Sequence, residues 1–111
     1  MADGYVPSRG DLVWLQFDPQ AGHEQRGRRP ALVVSPHAYN AKVGLALLCP
    51  VTSRAKGYPF EVQLPEEGEV TGVVLADQVK SLDWRVRRAE RIERTPEMVV
   101  TEVLARIHTL L

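Results

Sequence analysis

A mainly β domain that ends in one C-terminal α-helix is the fold class this sequence predicts, on three observations. Short apolar runs recur along the chain, set apart by glycine and proline. Helical periodicity is confined to residues 95–111. With 111 residues, of which 44% are hydrophobic, the chain can fill one modest core, so a single domain over residues 1–111 is expected.

The first run, residues 11–17, reads as a strand: Leu12, Val13, Trp14, Leu15 and Phe17 are apolar, and Gly10 and Asp18-Pro19 punctuate its ends. Trp14 is assigned to the core. Pro30 biases Arg29 to an extended conformation, and residues 31–35 follow as a strand dense enough to be buried on both faces. Residues 36–44 have turn formers at both ends and are expected to form a connection with at most one or two helical turns. Residues 44–51 read as a central strand whose Pro50 marks a bulge or its end. Residues 59–64 alternate Phe60, Val62 and Leu64 with Glu61 and Gln63, the pattern of a half-buried strand. Residues 71–76 and 78–82 supply two more strands, or one longer strand bent at Asp77.

Thr95-Pro96-Glu97 opens the helix, with Thr95 as N-cap, proline at the first position and Glu97 against the positive end of the dipole. Val100, Val103, Leu104, Ile107, Leu110 and Leu111 make its apolar stripe, while Glu102 and Arg106 can pair on the outer face. Five to seven short strands with one helix imply a small, mainly antiparallel barrel or curled sheet.

Charge balances overall, with 14 bases and 14 acids, which excludes the strongly basic class of non-specific nucleic-acid binders. Its distribution is uneven: residues 78–94 carry a net +3 and residues 65–77 a net −4. A basic side on a neutral chain suits selective binding of a polyanion. Cys49 is the only cysteine, so intrachain disulfides and multi-cysteine metal sites are excluded, and its apolar flanks make it a buried residue. Residues 1–5 carry an acid where a secretory signal would carry bases, and the longest apolar runs fall far short of about 20 residues. A cytoplasmic protein without membrane association is expected.

The segment Gly22-His23-Glu24-Gln25-Arg26-Gly27-Arg28-Arg29-Pro30 concentrates chemistry: one carboxylate and three guanidinium groups on a glycine-bounded connection between two strands. A core gains nothing from such charges, whereas a site that holds a phosphodiester and moves a proton needs both signs. The chain has no phosphate loop with a lysine, no Gly-x-Ser-x-Gly elbow and no histidine pair at metal-ligand spacing. His37 and His108 read as surface residues, and His23 as a weak candidate for proton transfer.

The remaining set is Glu24, Arg29 and Thr52-Ser53. Cleavage of RNA by its own 2′-hydroxyl needs a base, a positive group for charge on the phosphorane and a donor for the departing 5′-oxygen. No metal or other cofactor is required. A glutamate can be the base, an arginine can hold two phosphate oxygens, and hydroxyls add neutral donors. Arginine, with a pKa above about 12, is a better stabiliser than proton donor. Plainer readings stay open: a solvated hairpin with a Glu24–Arg28 ion pair, and a Thr52 that only ends a strand. Trp84 either packs under a turn or stacks on a base.

At these residues the chain resembles the MazF/PemK family of toxin–antitoxin systems. The resemblance extends over nearly the whole length and rests on residues 10–14, Phe17-Asp18-Pro19, Gly22 with Glu24-Gln25, Gly27 with Arg29-Pro30-Ala31, Ser35-Pro36, Tyr39-Asn40, residues 56–62, residues 75–81 and Trp84-Arg85. It implies an SH3-like barrel that forms a homodimer and cuts single-stranded messenger RNA at short sequences without metal, leaving 2′,3′-cyclic phosphate and 5′-hydroxyl ends. It places catalysis on Glu24, Arg29 and Thr52, and RNA contacts are expected at Gln25, Arg26, Arg28, Ser53, Lys56, Gln78, Lys80 and Arg85. It also implies a gating loop at about residues 18–28, and a MazE-like antitoxin whose acidic tail covers the RNA groove. Gln16 replaces an acid found in similar members, Arg26 and Arg28 make the loop more basic, and residues 86–94 are arginine-rich, so base readout is where this chain departs. A rival reading is a CcdB-like toxin of the same fold that binds DNA gyrase without catalysis. That activity is associated with a tryptophan near the end of the last helix, where this chain has His108-Thr109-Leu110-Leu111. A peptide-binding SH3-like adaptor is disfavoured by the 6% aromatic content.

Overall fold

The computed structural model describes residues 4–17 and 27–111. Seven strands and two helices follow in the order β1 (Asp11–Gln16), β2 (Arg28–Val33), α1 (His37–Val43), β3 (Leu45–Thr52), β4 (Glu61–Gln63), β5 (Val73–Leu75), β6 (Lys80–Asp83), β7 (Glu90–Arg94) and α2 (Glu97–His108), with a 3-10 turn at Ala76–Gln78 between β5 and β6. All pairings are antiparallel, in the order β4-β5-β3-β2-β1-β7. β3 organises this sheet. Its first half pairs with β6 (Leu45↔Asp83 to Leu48↔Lys80), its end pairs with β5 (Val51↔Val74, Thr52↔Val73), and its opposite edge pairs with β2. The sheet curls around β3 without closing: among the described residues no pairing joins β7 to β4 or β6.

Alternation along the strands builds two apolar clusters. Leu12, Leu32, Cys49, Val51, Val62 and Val74 face α2 through Val99 and Val103, with Leu104 and Ile107 at the margin. Val13, Leu15, Ala31, Val33, Ala46 and Leu48 face the other way, beneath Trp84. Cys49 is fully buried, as its flanks predict.

Several elements differ from expectation. β2 starts three residues before Ala31, because Arg28–Pro30 pair with Gln16–Trp14 of β1. The β2–β3 ladder ends at Ala31↔Pro50, where Pro30 and Pro50 have no N–H to extend it. α1, by contrast, keeps to the one or two helical turns expected of this connection, with 7 residues closed by Gly44 at φ 82° in the left-handed region. β7 carries no strand pattern in sequence: Ile92 alone packs inward, and the strand forms through backbone pairing with β1. Trp14, assigned to the core, is 40% exposed, because its pair partners Pro30 and Glu90 leave that face uncovered.

α2 starts at Glu97 with Pro96 at its N-cap, and Thr95 does not cap it through its side chain: its hydroxyl is buried without a partner. Its backbone N–H donates to Gly10 instead, which fastens the helix start to β1. The outer-face pair forms as expected, Arg106 donating to Glu102 at 2.6 Å. Leu110 and Leu111 lie past the helix end and are exposed.

Candidate functional site

Strand register assembles a polar surface at one end of the second cluster. In an antiparallel pair, opposed residues share a face. Arg29 pairs with Leu15 and therefore lies on the Val13/Leu15/Ala31 face, where it is exposed. On β3, Ala46 and Leu48 line that same face, so Thr52 lies on it too, half-buried. Arg29 lies two residues beyond Ala31, and Thr52 two residues beyond Pro50, the last opposed pair of the β2–β3 ladder. Lys80, opposite Leu48, joins this face from β6 and is exposed.

Two contacts fix Thr52. Its Oγ1 accepts the backbone N–H of Arg54 at 3.1 Å, which leaves the hydroxyl hydrogen free to donate to a phosphate oxygen. Gly72, at φ 111°, abuts its backbone so closely that a Cβ there would lie 2.2 Å from the Thr52 carbonyl oxygen. The loop that follows carries exposed Ser53 and Lys56 and is held by the Glu61 carboxylate, which accepts the N–H groups of Lys56 at 2.9 Å, Gly57 at 3.1 Å and Tyr58 at 3.4 Å. Tyr58 donates its hydroxyl to Asp77 at 2.9 Å and thereby ties this loop to the turn that presents exposed Gln78.

A second group of bases surrounds the strand ends that flank residues 18–26. Arg87 donates to the carbonyls of Gln16 (3.2 Å) and Phe17 (2.7 Å), and Phe17 N–H donates to Gly27. Arg28 holds Glu90 at 2.8 Å and the Arg88 carbonyl at 3.4 Å. Trp84 resolves in favour of packing: it is buried, donates Nε1–H to the Asn40 carbonyl at 3.1 Å, and carries the exposed Arg85 guanidinium over its ring at 4.8 Å. His37 and His108 are exposed, as expected.

Glu24, Gln25, Arg26 and His23 lie outside the described residues. Among the described residues, no group of three or more His, Cys, Asp or Glu stands together as a metal site. An open apolar cleft of about 530 Å³ lies between Trp14, Pro30, Val70 and Ile92, but alternation puts Pro30 and Arg29 on opposite faces, so the cleft is not the Arg29–Thr52 surface. Sequence reasoning named Ser53, Lys56 and Gln78 but passed over Glu61, Asp77 and Gly72, which hold them. A glycine between Thr71 and a β-branched run was the one local signal for Gly72.

This face thus carries guanidinium, ammonium and hydroxyl donors on a curled antiparallel sheet, the class of surface that suits a polyanion. Residues 8–111 match the model of the PemK-like, MazF-like toxins of type II toxin–antitoxin systems, and the chain belongs to that family. It is 48% identical over 111 residues to the endoribonuclease toxin MazF of Escherichia coli K12, covering 100% of this chain and 99% of that protein. It is 43% identical over 107 residues to the endoribonuclease PemK of Escherichia coli, covering 93% of this chain and 80% of that protein. Among solved structures, MazF from Deinococcus radiodurans superposes with a TM-score of 0.86 at 63% identity over 96% of each chain. A MazE–MazF structure from the same organism gives 0.86 at 57% identity, covering 96% of this chain and 95% of that one. The mainly β fold with a C-terminal helix is that of these structures.

Proposed function

We propose that this protein is a sequence-specific endoribonuclease toxin that cuts single-stranded messenger RNA without metal. The observation that carries this reading is that strand alternation sets Arg29 of β2 and Thr52 of β3 on the same sheet face, in a chain of the MazF-like family. Glu24 removes the proton of the 2′-hydroxyl, whose oxygen attacks the adjacent phosphorus. The bond from phosphorus to the 5′-oxygen breaks, and that oxygen takes up a proton. The products are a 2′,3′-cyclic phosphate and a 5′-hydroxyl. Arg29 holds two non-bridging oxygens and stabilises the charge that grows on them, while Thr52 adds a neutral donor. Gln25, Arg26, Arg28, Ser53, Lys56, Gln78, Lys80 and Arg85 line the path of the strand on either side.

Relatives named as MazE–MazF complexes support an antitoxin partner, here a MazE-like chain with an acidic segment, bound to a homodimer of this protein. No helix among the described residues is long and apolar enough to cross a membrane, which suits action on messenger RNA in the cytoplasm. No observation favours the gyrase-binding alternative.

Incubation of several defined single-stranded RNAs with protein and a chelator, followed by mapping of the ends, tests the reading. Cyclic phosphate ends from wild-type protein and none from Glu24→Ala are expected. Intact RNA throughout, or equal cleavage by Glu24→Ala, refutes it.

A further inference from the structure

We infer that Tyr58 is a stacking platform for one base of the bound single strand. This rests on the ribonuclease reading above and adds a residue to it. Tyr58 is 47% exposed although it is a large aromatic side chain on a short loop. Such exposure fits a mobile side chain, yet this ring is fixed at every point the structure describes. Its hydroxyl donates to Asp77 at 2.9 Å, its backbone N–H reaches Glu61 at 3.4 Å, and its ring meets Phe60 edge-on, with centroids 6.5 Å apart and planes at 62°. Gly57 at φ 76° supplies the turn that presents it. The Asp77 bond also raises the phenol pKa from its ordinary value.

A ring oriented in advance and held open to solvent loses little freedom when a flat partner lands on it. Its surroundings select the partner. The same loop exposes Arg54 and Lys56, and the next turn exposes Gln78. Cations for phosphates, an amide for a base edge and an aromatic face between them are what a single-strand site combines. The Glu61 carboxylate, which would repel phosphate, is occupied by three backbone N–H groups.

The test uses a non-cleavable 2′-O-methyl oligonucleotide carrying a sequence that wild-type protein cuts, with affinity read by fluorescence anisotropy. Tyr58→Phe, which keeps the ring and loses the Asp77 bond, is expected to bind within about twofold of wild type. Tyr58→Ala is expected to bind roughly tenfold more weakly, the usual range for one lost stacking partner. Single abasic substitutions then locate the base: at one position the abasic strand binds wild type as weakly as the intact strand binds Tyr58→Ala, and the two losses do not add. Wild-type affinity in Tyr58→Ala overturns the inference. So does equal weakening by Phe and Ala, since Tyr58 would then act only as a clamp on Asp77, and so does the absence of any such position. Tyr58→Phe also reports folding, because it keeps the packing against Phe60. Failure of wild-type protein to cut any RNA overturns the ribonuclease reading itself, whereas normal cutting with an indifferent Tyr58→Ala overturns the stacking role alone.

Discussion

Gly72 and Thr52 are in backbone contact so close that no side chain fits at position 72: a Cβ there would stand 2.2 Å from the Thr52 carbonyl oxygen and 3.0 Å from Ser53 Cα. β5 is therefore able to press the end of β3 into place only because residue 72 is glycine, and its φ of 111° adds a conformational reason. Gly72→Ala is expected to lower stability by about 2 kcal/mol or more, from strain and displacement together, read as a shift of the urea midpoint. RNA cleavage should fall further than the folded fraction accounts for, because Thr52 moves with the strand.

Asn40 joins three parts of the fold. Fully buried, it donates to the Pro7 and Ser35 carbonyls, accepts from the Ser35 hydroxyl at 2.6 Å, and receives Trp84 Nε1–H on its own carbonyl. Asn40→Leu fills similar volume and keeps the Trp84 bond, which is made to the backbone carbonyl, but takes the side-chain partner from the Pro7 and Ser35 carbonyls and the Ser35 hydroxyl, at a cost of about 3 kcal/mol in thermal or denaturant unfolding. Trp84→Phe loses only the indole bond and some packing, and should cost less.

The Arg28–Glu90 pair joins a mostly buried side chain to one that is 71% exposed. Glu90→Gln is expected to change stability by less than about 1 kcal/mol, since a carboxylate that lies mostly in solvent contributes little through its pair. It removes the carboxylate from a guanidinium proposed to meet RNA, so affinity should rise a few-fold and the salt dependence of binding should steepen. Unchanged affinity and slope would separate Arg28 from the substrate.

Burial pushes the Cys49 thiol up to about 12, from its ordinary value of 9.0, with the Asp77 carboxylate adding to it. The raised value belongs to the folded state, so the contribution is intact below the unfolded pKa and is lost as the unfolded chain ionises between about pH 9 and 12. Stability measured by denaturant should decline over that window, with a slope from this group of at most about 1.4 kcal/mol per pH unit. Tyr5, raised by burial and by its 2.8 Å bond to Asp11, acts in the same direction at higher pH. Cys49→Ala should flatten the lower part of that decline.

Much of this architecture was legible because apolar density and punctuation coincide at β1, at β3 and in α2. β7 was hidden: an edge strand needs only backbone pairing, and Arg91, Glu93 and Arg94 show no alternation to betray it. Trp14 misled because a tryptophan in an apolar run gives no sign that its face of the sheet is left open. The Thr95-Pro96 signature pointed to the right helix end but the wrong bond, since Thr95 Oγ1 makes none and the backbone N–H donates to the Gly10 carbonyl. At the candidate site, residue chemistry singled out Arg29 and Thr52, and strand register supplied what sequence lacks: their common face. The supports at Glu61, Asp77 and Gly72 act through contacts across 3 to 20 positions, which the alternation of apolar residues does not record.

Single-turnover cleavage of a defined RNA in the presence of a chelator, by Arg29→Ala, Thr52→Ala and the double variant, tests most directly whether these two residues act on one phosphate. The arrangement predicts a loss of roughly 10²- to 10³-fold for Arg29→Ala, a smaller loss for Thr52→Ala, and a double variant that falls clearly short of the product of the two. A wild-type rate in either single variant, or losses that multiply in full, would contradict a shared phosphate site.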